Sequence, residues 1–307
     1  MKPLTTEQIR AVIARGKFRD NVFKIMGILC LAMGLLVIVA LIADMVMKGS
    51  ERFTVDFFLN FASRHANQAG ILSAWVGSLL VMLVTALAAV PLGVAAGVYL
   101  EEYAKRNWMT EIIEVNISNL AAVPSIVYGL LALGIFVYQF GFGQSILSAG
   151  LTLGLLILPI IIVSTREAIR AIPAMIREGS MAVGATRWQT CRYHIIPYAM
   201  PGILTGVIIG LARAIGETAP IITIGALTFI AFLPPAPFMG EPTAGLFDWV
   251  LAPFTVMPIQ IFNWTSRPDP AFEINAAAAG FVLMVMVLSM NAIAIYLRYK
   301  MRKNIKW

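Results

Sequence analysis

Charge is scarce in this chain of 307 residues: 13% of them carry it, whereas 59% are hydrophobic. Soluble domains are about a quarter charged, so a soluble globular fold is excluded. No G-x-x-x-x-G-K-[ST] occurs anywhere, so the chain has no loop with which to cradle nucleotide phosphates. Only two cysteines are present, Cys30 in an apolar run and Cys191 in a basic stretch, which gives no disulfide framework. Histidine is equally rare. His65 and His194 fall on opposite faces of the membrane in the topology derived below, so they do not share a metal. The ten-residue alternation of an outer-membrane barrel is missing too. The formal charge of +7 is dispersed among loops rather than gathered on a soluble module, so no nucleic-acid partner is expected.

What the chain does have is long apolar runs, the mark of a polytopic helical protein in a lipid bilayer. Six are read, at about residues 22–47, 71–100, 112–140, 146–163, 197–232 and 274–297. Pro159 should kink the fourth, and Asn116 and Asn119 in the third read as hydrogen-bonding links between helices. Residues 1–21 read as a cytoplasmic amphipathic helix, with Ile9, Val12 and Ile13 at helical spacing and Thr5 and Gln8 as a capping box. It either lies on the membrane surface or serves as a positive anchor for topology. The apolar run behind it is too long for a cleavable signal. The first span and an outer loop fill residues 22–70, a core of five spans fills 71–298, and a basic tail fills 299–307.

Six spans put both termini on one side. Lysine and arginine divide 18 to 4 between the two faces, with Arg213 in neither group, so both termini and the basic loop 164–196 are cytoplasmic. The expected fold class is therefore an all-α membrane protein with six transmembrane helices. The outer loop 233–272 is rich in proline and tryptophan, and its Trp249, Phe254, Phe262 and Trp264 read as interfacial aromatics.

The fifth run is too long for one span. Its 36 residues would make a straight helix of about 54 Å against roughly 30 Å of hydrocarbon. Either the helix breaks at Gly216 and Pro220, on either side of Glu217, or one long helix protrudes and tilts. Arg213 and Glu217 are four apart and so share a helix face. Ionised groups inside a membrane cost several kcal/mol and usually face an interior or a watery path. A guanidinium suits a tetrahedral oxyanion, because its planar fork donates two hydrogen bonds and stays charged. Glu217 would hold that fork and offset its charge, keeping an anion site weak enough to release its cargo. Thr218 would add a hydroxyl donor. A structural salt bridge without substrate contact fits the same pair.

In the basic loop, Glu178 is followed by Gly184 six residues on and by Pro197 thirteen further, with Ile196 just before the proline. Met175, Met181, Ala182 and Val183 are small or pliable apolar residues around a glycine able to turn sharply. This stretch resembles the EAA loop of ABC importer permeases, although Gly179-Ser180 stands in place of the usual alanine pair and His194 in place of an aliphatic residue. Residues 184–220 (GATRWQTCRYHIIPYAMPGILTGVIIGLARAIGETAP), LAAVPSIVYGL at 120–130 and QIFNWTSRPDPAF at 260–272 are similar to the phosphate-specific, Pst-type importers. They look like the PstA permease rather than its PstC partner.

The resemblance covers nearly the whole chain from about residue 70. It implies a type I ABC importer permease fold in a bacterial inner membrane, and a subunit that imports phosphate and hydrolyses nothing. Glu178, Met181, Gly184 and Ala185 would form the coupling element toward the ATPase. Its implied partners are a PstC-like second permease, two copies of a PstB-like ATPase that carry ATP and Mg, and a PstS-like phosphate-binding protein outside. This chain would bind no cofactor.

Overall fold

The structure, a computed structural model, describes residues 6–105, 107–235, 245 and 247–302. Among these there is no strand. In chain order the helices are α1 (Thr6–Gly49), α2 (Val55–Leu59), α3 (Leu72–Val98), α4 (Trp108–Leu120), α5 (Ser125–Ala132) and α6 (Ile146–Arg170). They continue as α7 (Ala174–Ala182), α8 (Arg187–Thr190), α9 (Ile196–Ile215), α10 (Ala219–Ile224), α11 (Met257–Thr265) and α12 (Ala271–Arg302). Three stretches wind wider than an α-helix, with π geometry. Tyr99–Tyr103 extends α3, Leu133–Gln139 extends α5, and Cys191–Ile195 leads into α9.

Five helical stretches are long and apolar enough to cross a membrane, built on α1, α3, α6, α9 and α12. The sixth expected span is a broken one: α4 and the stretch from Ser125 to Gln139 meet at 106°. The single run expected over 112–140 is therefore two pieces. Pro124, which lacks an N–H and caps α5, sets the corner. Asn116 does not link helices as expected. Its amide donates to the Ile112 carbonyl of its own helix at 2.8 Å, and it and Asn119 are exposed. Residues 1–5 of the expected amphipathic helix lie outside the described residues. From Thr6 onward α1 is continuous with the first span, with no break near residue 21.

α6 is the central pillar. Two thirds of its spanning segment (67%) is buried, whereas none of the α1 segment is (0%). Small residues let its neighbours come close, as packing without a hydrophobic drive in lipid requires. On α9, Gly202, Gly206 and Gly210 recur every fourth residue and face Ala168, Ser164 and Ile157 of α6. On α3, Gly93 and Gly97 meet Ile161 and Thr165, and Gly150 of α6 meets Val84 in return. Near its outer end α1 packs on α12, where Gly49 abuts Ala278 and Met45 abuts Gly280. The helix α6 continues as one element past Pro159, which leaves out one bond of its ladder, and ends about two turns beyond the expected Val163.

The outer loop departs most from expectation. Trp249, Phe254 and Trp264 are buried rather than interfacial, and only Phe262 of that set is exposed. The segment folds back between the helix ends. Ile146 N–H donates to the Ala252 carbonyl, Leu227 N–H to that of Phe254, and Met257 N–H to the Ser78 hydroxyl at 2.8 Å. These bonds satisfy backbone groups that the interior would otherwise strand, and the aromatics fill the space beneath.

A methyl group at position 206 would fall on the Ser164 side chain. Gly206→Ala is therefore expected to cost about 1–3 kcal/mol, read as an earlier midpoint in detergent denaturation. Adding Ser164→Gly should restore it. An unchanged midpoint for the single variant would mean that α6 and α9 do not meet in this register.

Candidate functional site

Two regions hold the residues singled out in the sequence, one at each end of α9. The inner one is the basic loop. Its first arginines do not reach outward. Arg166 is buried and pairs with Glu114 at 2.6 Å and Glu101 at 3.6 Å. Arg170 takes Glu101 as well, at 2.9 Å, and Glu167 at 3.3 Å. Because Glu101 closes α3 and Glu114 lies on α4, these pairs neutralise the end of α6 and let the helix run past the apolar run into the expected loop.

Arg177 does more than balance charge. Its Nε donates to Glu102 at 2.8 Å, and its two terminal nitrogens donate to the carbonyls of Ile172 and Ile169 at 3.0 and 2.9 Å. The Ile169 carbonyl belongs to the last turn of α6, where the final four have no i+4 partner, and Ile172 follows just past the helix end. One side chain of α7 thus caps α6 and grips the end of α3. Neither Glu101 and Glu102 nor their arginines were singled out beforehand. The available signal was a pair of acids at the end of one span facing Arg166 and Arg170, one turn apart, at the end of another.

With Arg177 and the buried Ser180 turned inward, α7 presents its other face outward. Ser180 and Thr190 hydroxyls, 2.9 Å apart, pin α7 to α8. Glu178 is exposed, as are Met175 (79%), Val183 (86%) and Met181 (44%). Gly184 sits at φ +90°, a backbone conformation that side-chain-bearing residues rarely adopt, and Ala185 N–H returns to the Ser180 carbonyl at 3.2 Å. Thr186 and Gln189 then form a capping box that starts α8. The four residues assigned to coupling are thus brought together on one rigid corner.

The outer region lies at the expected break. α9 stops at Ile215, Gly216 follows as its cap, and α10 begins at Ala219 with Pro220 in its first turn. The fifth span is accordingly shorter than residues 197–232, since α10 is a separate half-helix ending at Gly225, φ +95°. Arg213 Nε donates to Glu217 Oε1 at 3.3 Å. Thr218 stands at the N-terminus of α10, and its carbonyl accepts from Ile222 N–H at 3.0 Å.

Glu217 borders a small cavity with Ser78 and Leu153, each about 10 Å in from the outer ends of α3 and α6. The pair therefore sits in the outer half of the bundle rather than at its middle. Glu217 is 18% exposed but Arg213 is 39%, opening away from its own chain. Tyr128 of α5, whose hydroxyl donates to the Leu120 carbonyl at 2.8 Å, lies within electrostatic reach of that guanidinium. No cluster of three metal-ligating side chains occurs among the described residues.

An elbowed bundle with a glycine-cornered helix at its basic end defines a class, the membrane-spanning subunits of ABC importers. Residues 89–303 match the family described as the binding-protein-dependent transport system inner membrane component, and the chain belongs to that family. Within it the chain is PstA-like. It is 29% identical over 302 residues to the phosphate transport system permease protein PstA of Mycobacterium leprae, covering 97% of this chain and 94% of that one. It is 30% identical over 261 residues to the PstA of Xylella fastidiosa, covering 83% and 85%. It is also 31% identical over 281 residues to the probable ABC transporter permease protein YqgI of Bacillus subtilis, covering 90% and 94%.

Solved structures share the fold. A chain of a bacterial alginate ABC transporter superposes with a TM-score of 0.62 at 14% identity, over 91% of this chain and 94% of that one. One of the inward-facing MetNI methionine transporter gives 0.54 at 16%, over 74% and 91%. The protein is thus a multi-pass permease subunit of an ABC importer, and its fold implies ATPase and binding-protein partners.

Arg177→Ala strips three charge-assisted bonds from the α6 end and is expected to lower stability by about 2 kcal/mol. Unfolding midpoints of the single and double variants with Glu102→Ala test it. The double loss should be smaller than the sum of the two single losses, and strict additivity would mean that the pair carries nothing.

Proposed function

We propose that this chain is the permease subunit through which inorganic phosphate crosses the membrane, by alternating access driven by a separate ATPase. The observation that carries the reading is Arg213, held by Glu217 at the break of α9 with its guanidinium still partly open. A fork restrained by one carboxylate keeps donors for a second oxyanion. Exchange between Glu217 and phosphate then turns a strong grip into a transient one. Thr218, next along the break, supplies a further donor. The open side faces away from this chain, where a PstC-like permease would close the path.

At the other end, Glu178, Met181, Gly184 and Ala185 form the corner that meets a PstB-like ATPase, two copies of which hold ATP and Mg. This chain brings no cofactor. Closure of the ATPases draws the corners together and opens the pair of permeases to a PstS-like phosphate-binding protein outside. Arg177 passes that displacement to α6 and α3. Hydrolysis returns the permeases to the inward-open form. The setting is a bacterial inner membrane. Sulfate or molybdate is the competing cargo, since the same fork fits any tetrahedral oxyanion.

In the reconstituted complex, Arg213→Ala should lower phosphate uptake roughly 10- to 100-fold with assembly intact. Arg213→Lys should also fall short, because a point charge does not reproduce the fork. Normal uptake in both would remove Arg213 from the path, and uptake competed equally by sulfate would reassign the cargo. Gly184→Trp forces a bulky residue into φ +90° at the exposed corner. It is expected to retain substrate-independent assembly of the two permeases but lose ATP-driven uptake. Unchanged uptake would place the coupling contact elsewhere.

A further inference from the structure

Two cavities meet on the basic side of the protein at a single residue, Tyr103. One is a groove of about 710 Å³ between α3 and α9, walled by apolar side chains such as Val90, Val94, Val98 and Val207, with Tyr99 and Trp188 at its inner mouth. The other is a polar pocket of about 390 Å³ whose lining includes Glu102, Lys105, Arg177 and Arg187. Each volume is within the range that holds a small organic ligand, roughly 300–1,000 Å³. Joined end to end, they make an amphipathic site, apolar along the helices and basic at the surface.

Dimensions and charge identify the occupant. From Val90 to Tyr103 the groove follows about 20 Å of helix rise, little more than one leaflet's share of a roughly 30 Å hydrocarbon core. It does not continue outward along α3, where Leu83 and Leu87 lie outside its lining. A second transmembrane helix would need a groove of full bilayer depth. Trp188 and Tyr99 are 58% and 61% exposed, at the level where indole and phenol rings favour the headgroup boundary. In the polar pocket the Arg177 fork is spent on Glu102 and two carbonyls. Lys105 and Arg187 remain, both exposed and neither in an ion pair among the described residues.

We propose that this composite site binds an anionic phospholipid of the inner leaflet. Its acyl chain lies between α3 and α9, and its phosphate is held by Lys105 and Arg187. Tyr99 and Tyr103 of the π-helical stretch after α3 line the groove's mouth together with Trp188 of α8 and Ile196 at the start of α9, so the lipid bridges the ends of the helices that lead into the coupling corner. The site is distinct from Arg213, and the inference stands whatever anion the permease carries.

The test uses the purified permease complex in detergent, delipidated and then exposed to micelles containing phosphatidylglycerol or phosphatidylcholine, with retained lipid counted by native mass spectrometry. Phosphatidylglycerol should be retained in preference to phosphatidylcholine. Each juxtamembrane cation contributes roughly fivefold to holding an anionic lipid, so Lys105→Glu with Arg187→Glu should lower retention about 25-fold or more. Val94→Trp, which fills the groove and leaves the cations in place, should lower it as well.

Equal retention of the two lipids, or retention unchanged in either variant, overturns the proposal. So does displacement of the lipid by millimolar inorganic phosphate, which would make the pocket a free-anion site. Cross-linking of Val94→Cys to a helix of the second permease in native membranes would likewise show the groove to be a protein interface.

Discussion

Three helices, α3, α6 and α9, approach until a single methyl group between α6 and α9 has nowhere to go. In lipid no hydrophobic force gathers apolar helices, since the solvent is as apolar as they are, and close van der Waals contact must do the work. Glycine at every fourth position of α9 supplies that closeness over two full turns. Everything else hangs on this pillar. The broken helices, the folded-back outer segment and the charged corner all contain backbone that bare lipid would not tolerate, and all of it is set against α3, α6 or α9.

The breaks are placed where they can be used. Glycine at 216 and proline at 220 stop α9 with its C-terminal turn carrying Arg213, where the helix dipole favours a cation. The carboxylate that balances it, on Glu217, comes two residues past the end. Neither group alone would be stable there. Together they give a pair restrained by one hydrogen bond, half open, and free of the full desolvation that a buried ion pair suffers. At the opposite end the charges are arranged differently. Arg166, Arg170 and Arg177 are bound to acids and carbonyls of neighbouring elements and serve cohesion, which leaves only the rim of the basic loop for ligands and partners.

Much of this was legible in the residues. The spans, the interruption of the fifth run and the corner at Gly184 follow from hydropathy, helix length and the stereochemistry of glycine and proline. What escaped depends on contacts distant in the chain. Arg166 looks like a loop residue until Glu114, 52 positions earlier, is brought against it. Trp249 and Trp264 look interfacial because composition cannot say that their segment turns back into the bundle. The corner at Pro124 was hidden for a related reason, since a hydropathy window passes over a bend as smoothly as over a straight helix.

The π-helical stretches at the inner ends of α3 and α9 have a mechanical consequence. A turn of that kind holds more backbone than its height requires, and it commonly marks a working part of a helix. Such surplus length can be drawn out or taken in while most of the ladder stays closed. A push delivered at the corner around Gly184 would then be absorbed as a change of winding before it bends anything, much as a coil gives before a rod snaps. Rigid shafts joined by springs at their loaded ends can rock many times without losing their seating.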